Sequence, residues 1–152
     1  MKLQQGFSLI ELMVTIVIVS ILASVAIPSY RDYVVRGRIP EATAALGDIR
    51  VRMEQFFQDN QSYPTGGCAT APTLPTATQI SVTAGSSFAF TCATTATTYT
   101  ITATGGSGMS GFQYTIDQFN NRASNFSGAA ATAGWTSHSP NNCWVNKKGG
   151  DC

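Results

Sequence analysis

The chain has 152 residues, 43% of them hydrophobic and 11% charged, a length that suits one globular domain with a protruding helix. Nine Lys and Arg residues against eight Asp and Glu residues give a formal net charge of +1. This balance excludes the strongly basic class of proteins that bind polyanions through their net charge.

The N-terminal segment begins with a short polar leader carrying Lys2 and continues as an apolar run from Phe7 to Ile27. As a helix at roughly 1.5 Å per residue, this run spans about one hydrocarbon core. A secretory signal peptide would have a shorter run and a small-residue cleavage site, and Pro28 with the helical pattern beyond it argues against one. Glu11 is the one carboxylate in the run. An acid inside a membrane-length apolar segment is costly, which indicates a functional site.

The residues around Glu11 form one long ordered motif, Gly6-Phe7-Ser8-Leu9-Ile10-Glu11-Leu12-Met13-Val14. This motif closely resembles the prepilin signature of type IV pilins and of the related pseudopilins. The resemblance covers about residues 1–64, and beyond them it is architectural only.

The resemblance implies a processing route. A prepilin peptidase would cut between Gly6 and Phe7 and methylate the new amino group of Phe7. The mature subunit would wait in the bacterial inner membrane, meet an assembly platform there, and join other pilin subunits in a homo- or hetero-filament outside the cell. In that family the acid at the position of Glu11 is proposed to pair with the N-terminal amine of a neighbouring subunit.

Physical chemistry supports this pairing, because cleavage creates a cation at Phe7 and a buried carboxylate requires a cation. Phe7 and Glu11 are also four residues apart on a helix, so an intrachain pair is an open alternative. Loss of Lys2 with the leader makes the numbers of acidic and basic residues equal, and the mature chain is formally neutral.

The helix is predicted to continue to about Asn60, with a length of about 50 residues. Kinks are expected near Pro28 and Pro40, and Gly37 also interrupts the pattern. Asp48 and Arg52 are spaced to form an ion pair. One apolar stripe, predicted to dock the helix on a sheet, consists of Ala42, Leu46, Ile49, Met53 and Phe56.

After a turn at Asn60–Pro64 and a loop rich in Pro, Thr and Ala to about Gln79, large residues recur at period two. This pattern predicts an antiparallel sheet of about four strands, with Thr or Ser on the outer face. The segment Ser127–Gly134 is small and is predicted to be flexible. The predicted strands are a weak one at Ile80–Val82, then Phe88–Cys92, Tyr99–Ala103, Phe112–Ile116 and, after a hairpin tip at Asn120-Asn121, Arg122–Phe126.

Four cysteines lie beyond residue 60, and an even number in an exported domain predicts two disulfides with three possible pairings. We favour Cys68 with Cys92 and Cys143 with Cys152. A zinc site is the alternative, but no Cys-x-x-Cys pair occurs and His138 is the only histidine. His138 is expected to be an exposed loop residue, because no nucleophile elbow or phosphate-binding motif accompanies it. We therefore expect no catalysis, metal or cofactor.

The C-terminal loop from Cys143 to Cys152 concentrates an indole and two cations, Trp144, Lys147 and Lys148. These three residues are candidate surface contacts. Plain structural closure is the simpler interpretation, since two lysines form a weak basic footprint. DNA contact through Lys and Trp is the alternative.

The sequence thus predicts an α+β pilin fold, a long N-terminal helix packed on a roughly four-stranded antiparallel sheet and closed by a C-terminal disulfide loop. Residues 1–6 form the leader, 7–28 the transmembrane and assembly helix, and 29–152 the globular domain. The resemblance favours a minor pilin that supports pilus assembly, adhesion, twitching motility or DNA uptake. A type II secretion pseudopilin and a DNA-binding uptake pilin remain alternatives, and a host surface is a further candidate partner.

Overall fold

In a computed structural model of the chain, residues 8–64 and 87–152 are described. The chain divides into two compact units, Met1–Val35 and Arg36–Cys152. A long helix is followed by four strands and a short helix, which confirms the predicted α+β class. The weak strand predicted at Ile80–Val82 lies outside the described residues.

Helix α1 extends from Leu9 to Asn60 and contains 52 residues, in agreement with the predicted length. It is continuous through Pro28, Gly37 and Pro40, so the kinks expected at the two prolines stay predictions. The helix ends before Gln61, whose φ of 54° is a left-handed conformation that a right-handed helix does not include.

The second half of α1 docks through one apolar face, as the spacing predicted. Phe56, the last predicted member of that stripe, is only half-buried. On the opposite side, Arg52 Nε lies 2.9 Å from Asp48 Oδ2 and confirms the predicted ion pair. The fully buried members of the stripe, which begins one turn earlier than predicted, are Ile39, Ala42, Leu46, Ile49 and Met53.

The sheet contains β1 (Phe88–Thr94), β2 (Tyr99–Gly105), β3 (Phe112–Asp117) and β4 (Arg122–Phe126). All neighbours are antiparallel, as predicted, and their order β1-β2-β3-β4 is that of consecutive hairpins. Along each strand every second residue faces the core, and these positions hold most of the large side chains. Thr100 and Thr104 are exposed on the outer face. The large inward side chains that are buried are Phe88, Tyr99, Ile101, Phe112, Tyr114 and Ile116.

The segment predicted to be flexible at Ser127–Gly134 instead contains a short helix, α2, from Gly128 to Thr132. Its Ala130 is buried, and it is followed by Trp135, which is 2% exposed. The Trp135 ring packs against Phe112 at 5.0 Å between ring centroids. Small residues form a helix here because alanine has the highest helix propensity and the segment covers an aromatic cluster.

A polar cluster joins the end of α1 to the start of β2. Tyr99 donates its hydroxyl to Glu54 Oε1 at 2.8 Å, and the Tyr63 hydroxyl lies 3.2 Å from Glu54 Oε2. The two phenol rings meet edge to face with centroids 4.8 Å apart. Burial and the Glu54 carboxylate raise the pKa of Tyr63 and of Tyr99. This cluster fixes the helix end on the sheet.

Candidate functional site

In the first unit, the apolar run of α1 up to Ile27 carries a single acid. Glu11 lies in the first turn of α1 and is exposed, and among the described residues no hydrogen bond or ion pair engages its carboxylate. Thr15, Ser20 and Ser24 each donate their hydroxyl to a backbone carbonyl of the same helix. These bonds satisfy the three hydroxyl donors. The Glu11 carboxylate is then the one charged group between Leu9 and Ile27.

The exposed side chains of this unit are overwhelmingly apolar. Leu9, Leu22 and Val25 are 77%, 64% and 68% exposed, and α1 is long and apolar enough to cross a membrane. A surface of this size needs a lipid or protein environment. The predicted cleavage site, Gly6-Phe7, and the predicted methylation at Phe7 lie outside the described residues.

The second unit contains a cleft of about 350 Å³ beside the C-terminal loop. The charged side chains that line it are those of Arg36 and Arg122. Neither arginine was predicted from the sequence to form a site. The sequence does single out Arg122 by its isolation, because Arg122 and Asp117 are the two charged residues between Thr65 and Thr136. The remaining lining residues are Ile39, Pro40, Thr43, Cys143, Trp144, Asn146 and Cys152.

Trp144 holds Arg122 in place. The indole Nε1 donates to the backbone oxygen of Thr115 at 2.9 Å, which fixes the ring against the sheet. The guanidinium carbon of Arg122 lies 4.7 Å from the centroid of that ring, within cation–π range. Trp144 is half-buried beneath this guanidinium, and its predicted role as a surface contact stays a prediction.

The C-terminal loop is closed by the Cys143–Cys152 disulfide, which confirms that predicted pair. Cys92 is also disulfide-bonded, but its predicted partner Cys68 lies outside the described residues, so that pairing stays a prediction. Lys147 and Lys148 are exposed, as candidate contacts must be.

The loop is held on the sheet by buried hydrogen bonds. The Ser124 hydroxyl donates to the Cys143 oxygen at 2.9 Å and accepts from the Val145 N–H at 2.9 Å. Tyr114 donates its hydroxyl to the Val145 oxygen at 3.1 Å, and burial raises the pKa of Tyr114. Because its base is rigid, the loop presents its lysines from a fixed position.

His138 is half-buried rather than exposed, which corrects the expectation for this residue. Its Nδ1 lies 2.8 Å from the backbone oxygen of Gly150, so the ring contacts the C-terminal loop. The sulfurs of Cys143 and Cys152 lie near the ring, but they are bonded to each other and supply no thiolate for a metal.

Comparison with known proteins identifies the family over most of the chain. Residues 28–113 match the sequence profile of a family described as the type IV minor pilin ComP, DNA uptake sequence receptor. Residues 1–27 match the prokaryotic N-terminal methylation motif. No solved structure matches the chain.

Among curated relatives, the fimbrial protein EcpC of Eikenella corrodens is 38% identical over 68 residues, which are 45% of this chain and 44% of that protein. A type IV major fimbrial protein FimA of Dichelobacter nodosus is 42% identical over 60 residues, 40% of this chain and 38% of that protein. The chain therefore spans less than half the length of these relatives. The family match covers more than half of this chain and confirms the resemblance inferred from the sequence. The chain belongs to the type IV pilins, in the family of the minor pilin ComP.

Proposed function

We propose that the chain is a minor subunit of a type IV pilus that polymerises through its N-terminal helix. A prepilin peptidase removes residues 1–6 and methylates Phe7. The subunit then waits in the inner membrane at an assembly platform before entering the extracellular filament. The observation that carries this proposal is Glu11, whose carboxylate has no partner among the described residues and lies in an otherwise apolar, exposed run of α1.

The energetic reason is the cost of an unpaired buried charge. In a filament the apolar helices surround one another, and Glu11 gains a partner when it meets the amine of Phe7 from a neighbouring subunit. Removing one member of a buried pair costs about 3–5 kcal/mol, because the other charge is left unpaired. Glu11→Val therefore leaves folding and membrane insertion intact and reduces incorporation into sheared filaments by more than tenfold.

Thr15→Val is the matched control, because it lies one helical turn away and removes a polar group that already bonds within its own helix. Its incorporation should equal that of the wild type. Filaments carrying Glu11→Val at the wild-type level would refute the proposal. Mass spectrometry of the mature subunit tests the processing step separately, since an intact Met1 on filament subunits contradicts it.

DNA contact is a second candidate function, supported by the description of the matched family and by the positive groups of the second unit. The C-terminal loop exposes Lys147 and Lys148, and the cleft beside it is lined by Arg36 and Arg122. Each phosphate contact contributes about 0.9 to the slope of log affinity against log salt. Lys147→Ala with Lys148→Ala should thus weaken DNA binding and reduce this slope by roughly 1.8.

Fluorescence anisotropy of a labelled duplex against the full chain in detergent micelles measures both quantities. Arg52→Ala is the control, because it removes a cation that Asp48 already engages at 2.9 Å. An unchanged slope in the double lysine variant would assign the contact to other residues. Absence of binding by the wild type at low salt would remove DNA as a ligand.

A pseudopilin of type II secretion is the remaining alternative. The curated relatives named above are fimbrial proteins, which favours a pilus. A deletion strain that keeps its surface filaments but loses protein secretion would instead place the chain in the secretion system.

A further inference from the structure

The tip of the β3–β4 hairpin exposes an aromatic ring. Phe119 is 76% exposed, the largest exposed fraction among the large hydrophobic residues described in the Arg36–Cys152 unit. Phe119 lies in the Arg36–Cys152 unit and not in the apolar run of the N-terminal helix. An aromatic side chain on a surface tip contributes large contact area to binding at a low cost in conformational entropy.

The tip is rigid before any partner arrives. Asp117 Oδ1 accepts from the N–H groups of Phe119 and Asn121, each at 2.9 Å, and its Oδ2 accepts from Asn121 Nδ2 at 2.8 Å. Asn120 takes the left-handed turn position with φ of 62°. Gln118 Oε1 accepts the Tyr99 N–H at 3.1 Å and ties the turn to β2. Binding through this tip therefore loses little backbone entropy.

The residues next to Phe119 in sequence carry groups that recognise nucleotides. Arg122 follows three positions later, at the start of β4, and its guanidinium carbon lies 4.7 Å from the centroid of the Trp144 ring. Its Nε approaches Asn120 Oδ1 at 3.4 Å, and among the described residues its terminal nitrogens make no hydrogen bond. A guanidinium pairs with phosphate, amides bond base edges, and aromatic rings stack on bases.

A protein partner fits this tip less well. An aromatic anchor in a protein interface is surrounded by apolar contacts that exclude water. The side chains flanking Phe119 in sequence are instead amides, those of Gln118 and Asn120. The carboxylate of Asp117 already accepts three hydrogen bonds within the turn.

We propose that Phe119 stacks on a DNA base at a step that the hairpin tip partly opens, while Arg122 contacts the adjacent phosphate. This inference rests on the DNA contact proposed above and adds a sequence-tolerant base contact to it. A narrow two-stranded hairpin can enter a groove, and aromatic wedges of this kind unstack base steps. Stacking does not depend on salt, so it is separable from the lysine contacts.

The test is anisotropy titration of a mixed-sequence duplex with the full chain in micelles at several salt concentrations. Phe119→Ala should weaken binding about fivefold to a hundredfold with an unchanged salt slope. Phe119→Trp should retain wild-type affinity, and Phe119→Leu should resemble Phe119→Ala, because leucine cannot stack. Arg122→Ala should weaken binding and reduce the slope by about 0.9.

Thermal melting of each variant checks that this exposed residue is not needed for folding. Wild-type affinity in Phe119→Ala would overturn the stacking inference and leave the DNA contact through the loop intact. Full affinity in Phe119→Leu would replace stacking by simple apolar contact and also overturn it. Loss of filament incorporation by Phe119→Ala with unchanged DNA affinity would assign the tip to a neighbouring pilin subunit. Absence of DNA binding by the wild type would end both proposals together.

Discussion

Tyr99→Phe should destabilise the globular unit by about 2 kcal/mol, because hydrogen bonds to charged groups contribute roughly 1.5–3 kcal/mol. The hydroxyl that it removes belongs to a residue that is 1% exposed, and it donates to Glu54 Oε1 at 2.8 Å. Phenylalanine has the same shape without the hydroxyl, so it leaves no cavity and the loss reports the hydrogen bond alone. The remaining support for the half-buried carboxylate is Tyr63, at 3.2 and 3.3 Å.

Tyr63→Phe is the matched comparison, since its bonds to the same carboxylate are longer. It should cost less than about 1 kcal/mol, in the lower part of the usual range for a hydrogen bond. For a folded unit of this size, 2 kcal/mol corresponds to a decrease in melting temperature of roughly 8 °C. Near-ultraviolet circular dichroism of the full chain in micelles follows the packing of the tyrosines during such a melt.

A double-mutant cycle with Glu54→Gln isolates the pair. Residues that share a hydrogen bond usually show coupling energies of about 0.5–3 kcal/mol, and we expect about 1.5 kcal/mol between Tyr99 and Glu54. A coupling below about 0.3 kcal/mol, or a larger effect for Tyr63→Phe than for Tyr99→Phe, would refute the assignment of Glu54 as the anchor of the helix end.

Two further predictions concern the stability of the same unit. Burial raises the pKa of Tyr99 and of Tyr114, so the folded state favours their neutral forms. The free energy of unfolding should be constant below the unfolded pKa of about 10 and fall above it by about 1.4 kcal/mol per buried phenol per pH unit. A melting temperature that is unchanged up to pH 11.5 would contradict this. Cys143→Ser with Cys152→Ser should cost about 2–3 kcal/mol in the chain-entropy account and expose the ring that Trp144 buries, measured as a lower melting temperature and red-shifted indole fluorescence. Equal melting temperatures for oxidised wild type and the double serine variant would show that the loop is held by its hydrogen bonds alone.

The fold was predictable because its signals are local. Apolar residues spaced by three and four along α1 identified the docking face, and Ala42, Leu46, Ile49 and Met53 are indeed buried. Alternation of large residues with smaller ones identified β1, β2 and β3, and the hairpin tip at Asn120-Asn121 identified β4, all to within two residues at each end. Both patterns follow from backbone geometry, so each can be read from one stretch of sequence.

The short helix α2 and the polar cluster at Glu54 were missed because they depend on distant contacts. A helix of 5 residues is too short to show periodicity, and α2 is stabilised by the burial of Ala130. Tyr99 reaches Glu54 across 45 positions of sequence. Glu54 accepts hydrogen bonds from two phenol hydroxyls. No local sequence pattern distinguishes it from a glutamate that is exposed to solvent.

The candidate sites divide in the same way. Glu11 was identified from sequence because its surroundings are uniformly apolar, so a single charge was conspicuous. The cleft was not, since Arg36 and Arg122 come from different elements and become neighbours only after the sheet docks on the helix. The number of cysteines predicted two disulfides, and the favoured Cys143–Cys152 pair is confirmed, but spacing alone could not show that the Trp144 ring lies against the sheet and beneath Arg122.

Charge density sets a limit on how this unit can bind DNA. The cations that line the cleft or lie on the loop are Arg36, Arg122, Lys147 and Lys148. If each of them contacts one phosphate, the salt slope is only about −3.6, far shallower than the roughly −10 of a strongly electrostatic binder. Electrostatic attraction of this size gives weak binding at physiological salt, so useful affinity requires salt-independent contacts with the bases. The rigid, exposed Phe119 is the residue of the described unit best suited to supply one. A measured slope steeper than about −5 would show that cations beyond these four take part, and it would remove the need for a stacking contact.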